Sequence, residues 1–116
     1  MKFSSLIFAT AFLTIFSATS ALAGEWHKVG TFTAGGDAKE MAVNRNCSTC
    51  LIKVTDGSVV INTVVIREGD KKTPKTVGRR IEKGDQAEIQ VGDKLYVTGF
   101  RISDDGRGTY LVYVKN

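Results

Sequence analysis

The chain has few of the residues on which most catalytic and metal sites depend. Its 116 residues include one histidine, two cysteines and one proline. A single histidine excludes a metal site with several imidazole ligands. Two cysteines with no histidine near them cannot complete a four-ligand zinc site within one chain. We therefore expect neither a metal nor a cofactor in this protein.

The chain also lacks an apolar run long enough to cross a membrane. The predominantly apolar run at residues 6–16 covers roughly half of the about 20 residues that a span requires. The run follows the positive start Met1-Lys2 and precedes the small-x-small sequence Ala21-Leu22-Ala23. This layout is typical of a secretory signal peptide cleaved before Gly24. We predict that residues 1–23 are the signal peptide, that residues 24–116 form one domain without a transmembrane segment, and that this domain is periplasmic or secreted.

Helical periodicity is nearly absent after Gly24. Apolar content of 42% and charged content of 24% are ordinary for a globular chain and exclude disorder. Residues 59–66 form a β-branched run, and residues 95–103 and 109–115 alternate as strands do. Asp56-Gly57 indicates a hairpin turn. Further turns are expected at residues 68–70, 83–85 and 91–93, and longer loops at residues 35–40 and 104–108.

Turns recurring at about 8–12 residues predict an all-β domain. We expect a single antiparallel β-sandwich of about seven or eight short strands after the cleaved signal peptide. Slippage of any strand by one residue would exchange its two faces, so the inward face of each strand is open at this point. The candidate core residues are Trp26, Phe32, Ile52, Val54, Val60, Val64, Ile66, Ile81, Ile89, Leu95, Val97, Phe100, Ile102, Leu111 and Tyr113.

Several segments together resemble a group of small exported bacterial β-sandwich proteins of unknown function (YaaI type). The likeness rests on alternation and turns in residues 26–30, 50–55, 60–69 and 79–85, and in the closing pair of strands, residues 97–102 and 109–114. The resemblance implies a β-sandwich fold and an export route. It implies no activity and offers no catalytic residue.

The sequence Cys47-Ser48-Thr49-Cys50 has more than one interpretation. A thiol-exchange pair requires a helix N-terminus to activate the first cysteine, but residues 51–55 have a strand pattern. A structural disulfide is favoured in an oxidising compartment. Closing so short a loop stabilises the fold by only about 2 kcal/mol, which leaves room for a labile, redox-active bond. Metal binding or free thiols are the remaining alternatives.

Residues 67–83 are strongly basic, with seven cations against three carboxylates. Such a segment is suited to an anionic partner, such as envelope phosphate or an acidic polysaccharide. It contains no aromatic side chain for base stacking, so nucleic acid is not the expected partner. Alternatively, it is a solvated edge strand in which lysines and Pro74 discourage edge-to-edge pairing. The candidate residues are Arg67, Lys71, Lys72, Lys75, Arg79, Arg80 and Lys83.

His27 is the single candidate imidazole base, and no serine lies in a nucleophile-elbow context to use it. We interpret it as a surface histidine beside Trp26. Aspartates that adjoin turn glycines are favoured for backbone reasons, so we assign four of them to turns rather than to a calcium site: Asp85, Asp93, Asp104 and Asp105.

These features predict a non-enzymatic protein of the cell envelope with a binding or structural role. The expected partner is an anionic envelope component or another envelope protein. The alternative is a thiol-disulfide redox accessory or sensor that uses Cys47 and Cys50.

Overall fold

Four β-strands account for nearly all of residues 26–116, which are the residues that the computed structural model describes. β1 spans His27–Thr33, β2 spans Lys39–Glu68, β3 spans Lys71–Glu82 and β4 spans Gln86–Lys115. This part of the chain contains no helix. The prediction of an all-β, antiparallel fold is confirmed. The predicted signal peptide, residues 1–23, lies outside the described residues.

All four strands belong to one antiparallel sheet in the order β1-β4-β2-β3. A two-residue turn, Gly69-Asp70, joins β2 to β3, and Gly69 has a φ of +65°. Tight hairpin turns use glycine at such positions because it adopts positive φ without steric cost. Residues 83–85 join β3 to β4, and the Asp85 N–H donates to the Glu82 carbonyl at 2.9 Å. The sequence predicted both turns.

The two long strands change partners along their length. In β2, Leu51 pairs with Glu88 on one side and with Tyr113 on the other. In β4, Ile102 likewise lies between Lys39 and Val64. The buried apolar side chains from both ends of these strands nevertheless form a single cluster. A sheet whose inner residues all meet in one cluster must curl around that cluster.

Three predicted turns are wrong because the strands continue through them. Residues 104–108 lie inside β4 and pair with residues 57–61 of β2. The predicted hairpin at Asp56-Gly57 also lies inside β2, and the predicted turn at residues 91–93 lies inside β4. Glycine with positive φ occurs in β-bulges as well as in turns. A glycine beside an aspartate therefore looks the same in the sequence whether the chain turns or continues as a bulged strand. The structure therefore has four strands where seven or eight were predicted.

Bulges determine which β2 side chains face the core. The register of β2 against β4 shifts between Val54 and Asp56 and again between Ile61 and Thr63. Each extra residue moves the side chains that follow to the opposite face of the sheet. From residue 52 onward, the buried β2 residues therefore have even numbers at Ile52 and Val54, and odd numbers at Val59 and Ile61. They have even numbers again at Val64 and Ile66.

The predicted core is confirmed in the segments where the assumed face is correct. These residues are buried: Ile52, Val54, Val64, Ile66, Ile81, Ile89, Val97, Phe100 and Ile102. Phe32 and Leu95 are partly buried against them. The prediction is wrong for Val60, Leu111 and Tyr113, which are half-buried, as is Trp26. The core takes the alternate positions there: Val59, Ile61, Tyr110, Val112 and Val114.

Replacing Gly57 by alanine should destabilise the fold strongly. Gly57 has a φ of +68°, and an added Cβ would overlap the backbone carbonyl of Arg107 on the facing strand. The backbone strain and the overlap both oppose a side chain, so the free energy of unfolding should fall by more than about 2 kcal/mol. Urea unfolding followed by circular dichroism measures this loss.

Gly36→Ala is the matched control. Gly36 also has a left-handed φ, +78°, but an added Cβ would have nothing within 4 Å. The free energy of unfolding of Gly36→Ala should therefore fall only by the cost of placing alanine at a left-handed φ, about 1–2 kcal/mol. Equal losses in the two variants would contradict the close approach of β2 to β4 at Gly57.

Candidate functional site

The densest charge in the described residues lies on β3, one of the two edge strands of the sheet. Of its 12 residues, five are cationic and one, Glu82, is acidic. β2 is its only neighbour in the sheet formed by residues 26–116, so its other side has no strand beside it. Backbone groups on such an edge are available to a partner. The cationic residues are Lys71, Lys72, Lys75, Arg79 and Arg80.

The register of β3 against β2 distributes these side chains over both faces of the sheet. Lys75 and Arg79 lie opposite core-facing residues of β2. Lys72 and Arg80 lie opposite residues of the outer face, by which we mean the face turned away from the core. Directly paired residues project from the same face. The predicted basic segment is therefore a charged edge with cations on both sides rather than a single flat patch.

Little of this charge is neutralised by the residues that the structure describes. Arg80 Nη1 donates to Ser58 Oγ at 2.9 Å, and Ser58 Oγ donates to Glu82 Oε2 at 3.2 Å. No ion pair between described residues involves any cation of β3. Successive cations of β3 are one to four residues apart, which is roughly 3–13 Å along an extended strand. The potentials of the nearer ones add, since the Debye length is roughly 8 Å.

Arg67, which belongs to β2, lies beside this edge and binds a carboxylate. Its Nη1 is 2.9 Å from Glu40 Oε1, and its Nη2 donates to Glu40 Oε2 at 3.2 Å. Arg101 Nη1 donates to the same Oε2 at 2.6 Å. Sequence analysis missed Glu40 and Arg101 because they are 61 positions apart and meet only through the pairing of β2 with β4.

A depression of about 410 Å³, lined by Arg67 and by the Glu40 carboxylate that Arg101 also contacts, is open to solvent. Gly99, which lines it, has no room for a side chain, since an added Cβ would lie 2.6 Å from the Met41 carbonyl oxygen of the facing strand. Thr98 Oγ1 donates to the Arg67 carbonyl at 3.0 Å and accepts from the Gly69 N–H at 3.2 Å. The residues that line it are Glu40, Met41, Ala42, Arg67, Gly69, Thr98 and Gly99.

The Arg67 guanidinium is incompletely satisfied by the protein's own groups. Its Nε is buried and has no hydrogen-bond partner among the described residues. A buried donor without a partner costs about 1–3 kcal/mol. The exposed ion pairs with Glu40 contribute at most about 1 kcal/mol each. These exposed pairs therefore do not by themselves offset the cost of the unpartnered donor.

Asp104 is a buried residue of β4, so its assignment to a turn is wrong. It is 5% exposed, and its Oδ2 accepts a 2.6 Å hydrogen bond from the Tyr110 hydroxyl. Its Oδ1 accepts from the Gly35 N–H at 2.8 Å and from Lys39 Nζ at 3.3 Å. Burial, followed by the hydrogen bond to Asp104, raises the pKa of Tyr110. The carboxyl group thereby ties the loop between β1 and β2 to the core.

Cys47 and Cys50 are both free thiols, so the disulfide favoured by the sequence is not formed in the structure. Both are 0% exposed. Burial raises the pKa of each thiol; the charge of Arg45 partly offsets this for Cys47, and Cys47 adds to it for Cys50. Because the thiolate is the nucleophile in exchange reactions, these environments oppose a redox role.

The other sequence candidates are separate from one another. His27 is exposed on β1, Asp85 lies in the turn between β3 and β4, and Asp93 is exposed in β4. Asp105 is exposed and accepts a 2.9 Å hydrogen bond from Asn62 Nδ2. Within residues 26–116, no three His, Cys, Asp or Glu side chains are placed to hold a metal ion together.

No family model, curated protein or solved structure matches this chain. The resemblance to the exported bacterial β-sandwich group stays a prediction. Among residues 26–116 there is no helix whose length and apolarity would suit a membrane span. The charged edge and the arginine pair beside it are therefore the features from which a function can be inferred.

Asp104→Asn should destabilise the protein. The amide preserves the shape of the side chain but loses the charge that Lys39 faces and presents an NH2 group to one of the buried donors. We expect the free energy of unfolding to fall by about 1–3 kcal/mol in urea titrations. Asp105→Asn, the same change at the exposed neighbour, should stay within about 0.5 kcal/mol of wild type. Equal effects would mean that the network around Asp104 adds nothing.

The thiols of Cys47 and Cys50 should be inaccessible in the native protein and both titratable after unfolding. Protein prepared without reductant should react slowly with an aromatic disulfide reagent in buffer and should release two equivalents in urea, because both side chains are fully buried. Absence of reaction in urea, restored by prior reduction, would show that the pair is oxidised and would contradict the free state.

Proposed function

We propose that the protein is an exported, non-enzymatic binding protein of the cell envelope that holds an anionic envelope component at its charged edge. The charged edge consists of β3 with its five cations, together with Lys83 in the turn that follows. This proposal includes the removal of residues 1–23 during export to the periplasm or beyond. It also includes membership of the exported bacterial group that the sequence resembles.

One observation carries the proposal: the cations of β3 are concentrated at a sheet edge and are not neutralised by carboxylates of the described residues. The like charges of this edge repel one another, and they also oppose pairing with the same edge of a second molecule. A polyanion relieves that repulsion and releases counterions when it binds. The two-sided display suits an extended anionic chain or a surface better than a small ligand in a pocket.

The proposed sandwich follows from the way the long strands change partners. Residues 49–53 lie between residues 86–90 and 111–115, while residues 99–102 lie between residues 39–42 and 64–67. We propose that these two groups of strand segments form the two layers of the sandwich and that the shared cluster of buried side chains is its interior. In this arrangement β3 is the exposed margin of one layer.

A catalytic role finds less support in the described residues. His27 is exposed on β1, far in the sheet order from β3, and the cysteines are buried with raised thiol pKa values. A redox role would require at least one thiol to reach a partner as a thiolate. The binding hypothesis requires only the exposed cations.

Charge reversal at Arg79 and Arg80 should weaken binding to polyanions. Wild-type protein should be retained on heparin and on vesicles that contain phosphatidylglycerol, and retention should decrease as salt rises, because the attraction is electrostatic. The double variant Arg79→Glu, Arg80→Glu should elute from heparin at a clearly lower salt concentration. Elution in a salt gradient and vesicle co-sedimentation measure the two effects.

The control is a double reversal with the same net charge at exposed positions outside the edge, Lys28→Glu with Arg45→Glu. If both double variants lose retention equally, net charge alone explains binding and the charged edge has no special role. If the edge variant elutes like wild type, the proposed function is wrong.

A further inference from the structure

We propose that the depression beside Arg67 and Arg101 is a phosphoryl-binding site whose own Glu40 carboxylate a ligand displaces. This inference rests on the proposed function, because it names the group by which an anionic partner would be held. Apart from Lys72, its residues are not cations of β3, and it can be tested separately. We call this depression, with Glu40, Arg67, Arg101 and Lys72, the arginine site.

The arginine site already holds an oxyanion of the protein's own. Arg67 contacts both carboxylate oxygens of Glu40, at 2.9 and 3.2 Å, and Arg101 contacts one of them at 2.6 Å. A guanidinium fork matches a carboxylate and a phosphoryl group equally well, because both present two oxygens at similar spacing. The observed contacts therefore show that the two arginines are placed to hold an oxyanion between them.

Glu40 is a replaceable occupant. Its side chain is 47% exposed, and its partners among the described residues are the two arginines. Exposed ion pairs of this kind are weak, since water solvates the separated charges well. A competing anion at the same position would let the Glu40 side chain turn into solvent while the arginines keep an equivalent partner.

The surroundings favour a phosphoryl group over a single carboxylate. Lys72 lies directly opposite Arg67 in the pairing of β2 with β3, and so on the same face of the sheet. With Glu40 turned away, Arg67, Arg101 and Lys72 present three positive charges, which a doubly charged phosphate monoester balances better than a singly charged carboxylate.

The rest of the site leaves space and a donor for such a ligand. Gly99 has no side chain to cover the floor, and the depression of about 410 Å³ opens there. Arg67 lines the depression, and its buried Nε has no hydrogen-bond partner among the described residues. A small rotation of the guanidinium around an incoming phosphoryl group would give Nε a partner that Glu40 does not provide.

Glu40→Gln is the decisive variant, because it removes the competing charge and keeps the side-chain size. We expect inorganic phosphate to bind Glu40→Gln about fivefold more tightly than wild type in isothermal titrations. Glu88→Gln, which removes one negative charge at an exposed position of β4, is the control and should bind as wild type does. Equal affinity in all three proteins would overturn the proposal, as would equal gains in the two variants, since these would reflect net charge.

Arg101→Gln in the Glu40→Gln background should abolish the gain. Arg101 is exposed and does not belong to the core, so this variant should fold, which circular dichroism checks. Retention of tight phosphate binding in the double variant would place the phosphate elsewhere and overturn the assignment.

The source of the phosphoryl group is distinguished with vesicles of phosphatidylcholine with and without phosphatidic acid. Stronger sedimentation of Glu40→Gln than of Glu88→Gln with phosphatidic acid indicates a lipid headgroup. Phosphate binding without this difference indicates a soluble ligand. The variant with reversed Arg79 and Arg80 should show the same gain in phosphate affinity as wild type does when Glu40→Gln is added. Failure of the charged edge and failure of the arginine site therefore give different results.

Discussion

The curvature of the sheet is the constraint on which the other features depend. β2 and β4 are each 30 residues long, and they contribute to both ends of one core only because bulges let them bend and change partners. The shifts after Val54 and after Ile61 also reverse the inward face of β2. If neither shift were present, Val59 and Ile61 would point away from the core. If only the first were present, Val64 and Ile66 would do so.

The same pairing assembles the polar features. It places Asp104 beneath the loop that precedes β2, where Tyr110, Lys39 and the Gly35 N–H satisfy its carboxyl group. It also brings Arg101 of β4 and Arg67 of β2 to one carboxylate on the outer face. The inner network is buried and stabilises the fold, whereas the outer one is exposed and weakly held. This difference in solvent exposure is why only the outer cluster is suited to exchange its anion for a ligand.

Local patterns predicted part of this accurately. Alternation in residues 95–103 located Phe100 and Ile102 correctly, and the glycines at 69 and 84 marked real turns. In residues 110–114 both faces are apolar, so alternation could not select Tyr110, Val112 and Val114 over their neighbours. An edge strand was one of the two interpretations of the basic segment, but the sequence did not predict that its cations lie on both faces of the sheet. Asp104 was assigned to a turn because an aspartate before a glycine looks the same in a turn and in a bulged strand.

By itself, the sequence determined that residues after 26 form antiparallel strands, that no multi-histidine site exists, and that positive charge is concentrated in residues 67–83. These are properties of composition and of short-range alternation. The tertiary structure decided the number of strands, the face of each segment, the free state of Cys47 and Cys50, and the meeting of Glu40 with two arginines. Those outcomes depend on register between segments tens of residues apart, and the free energy that selects a register comes from packing the whole core at once.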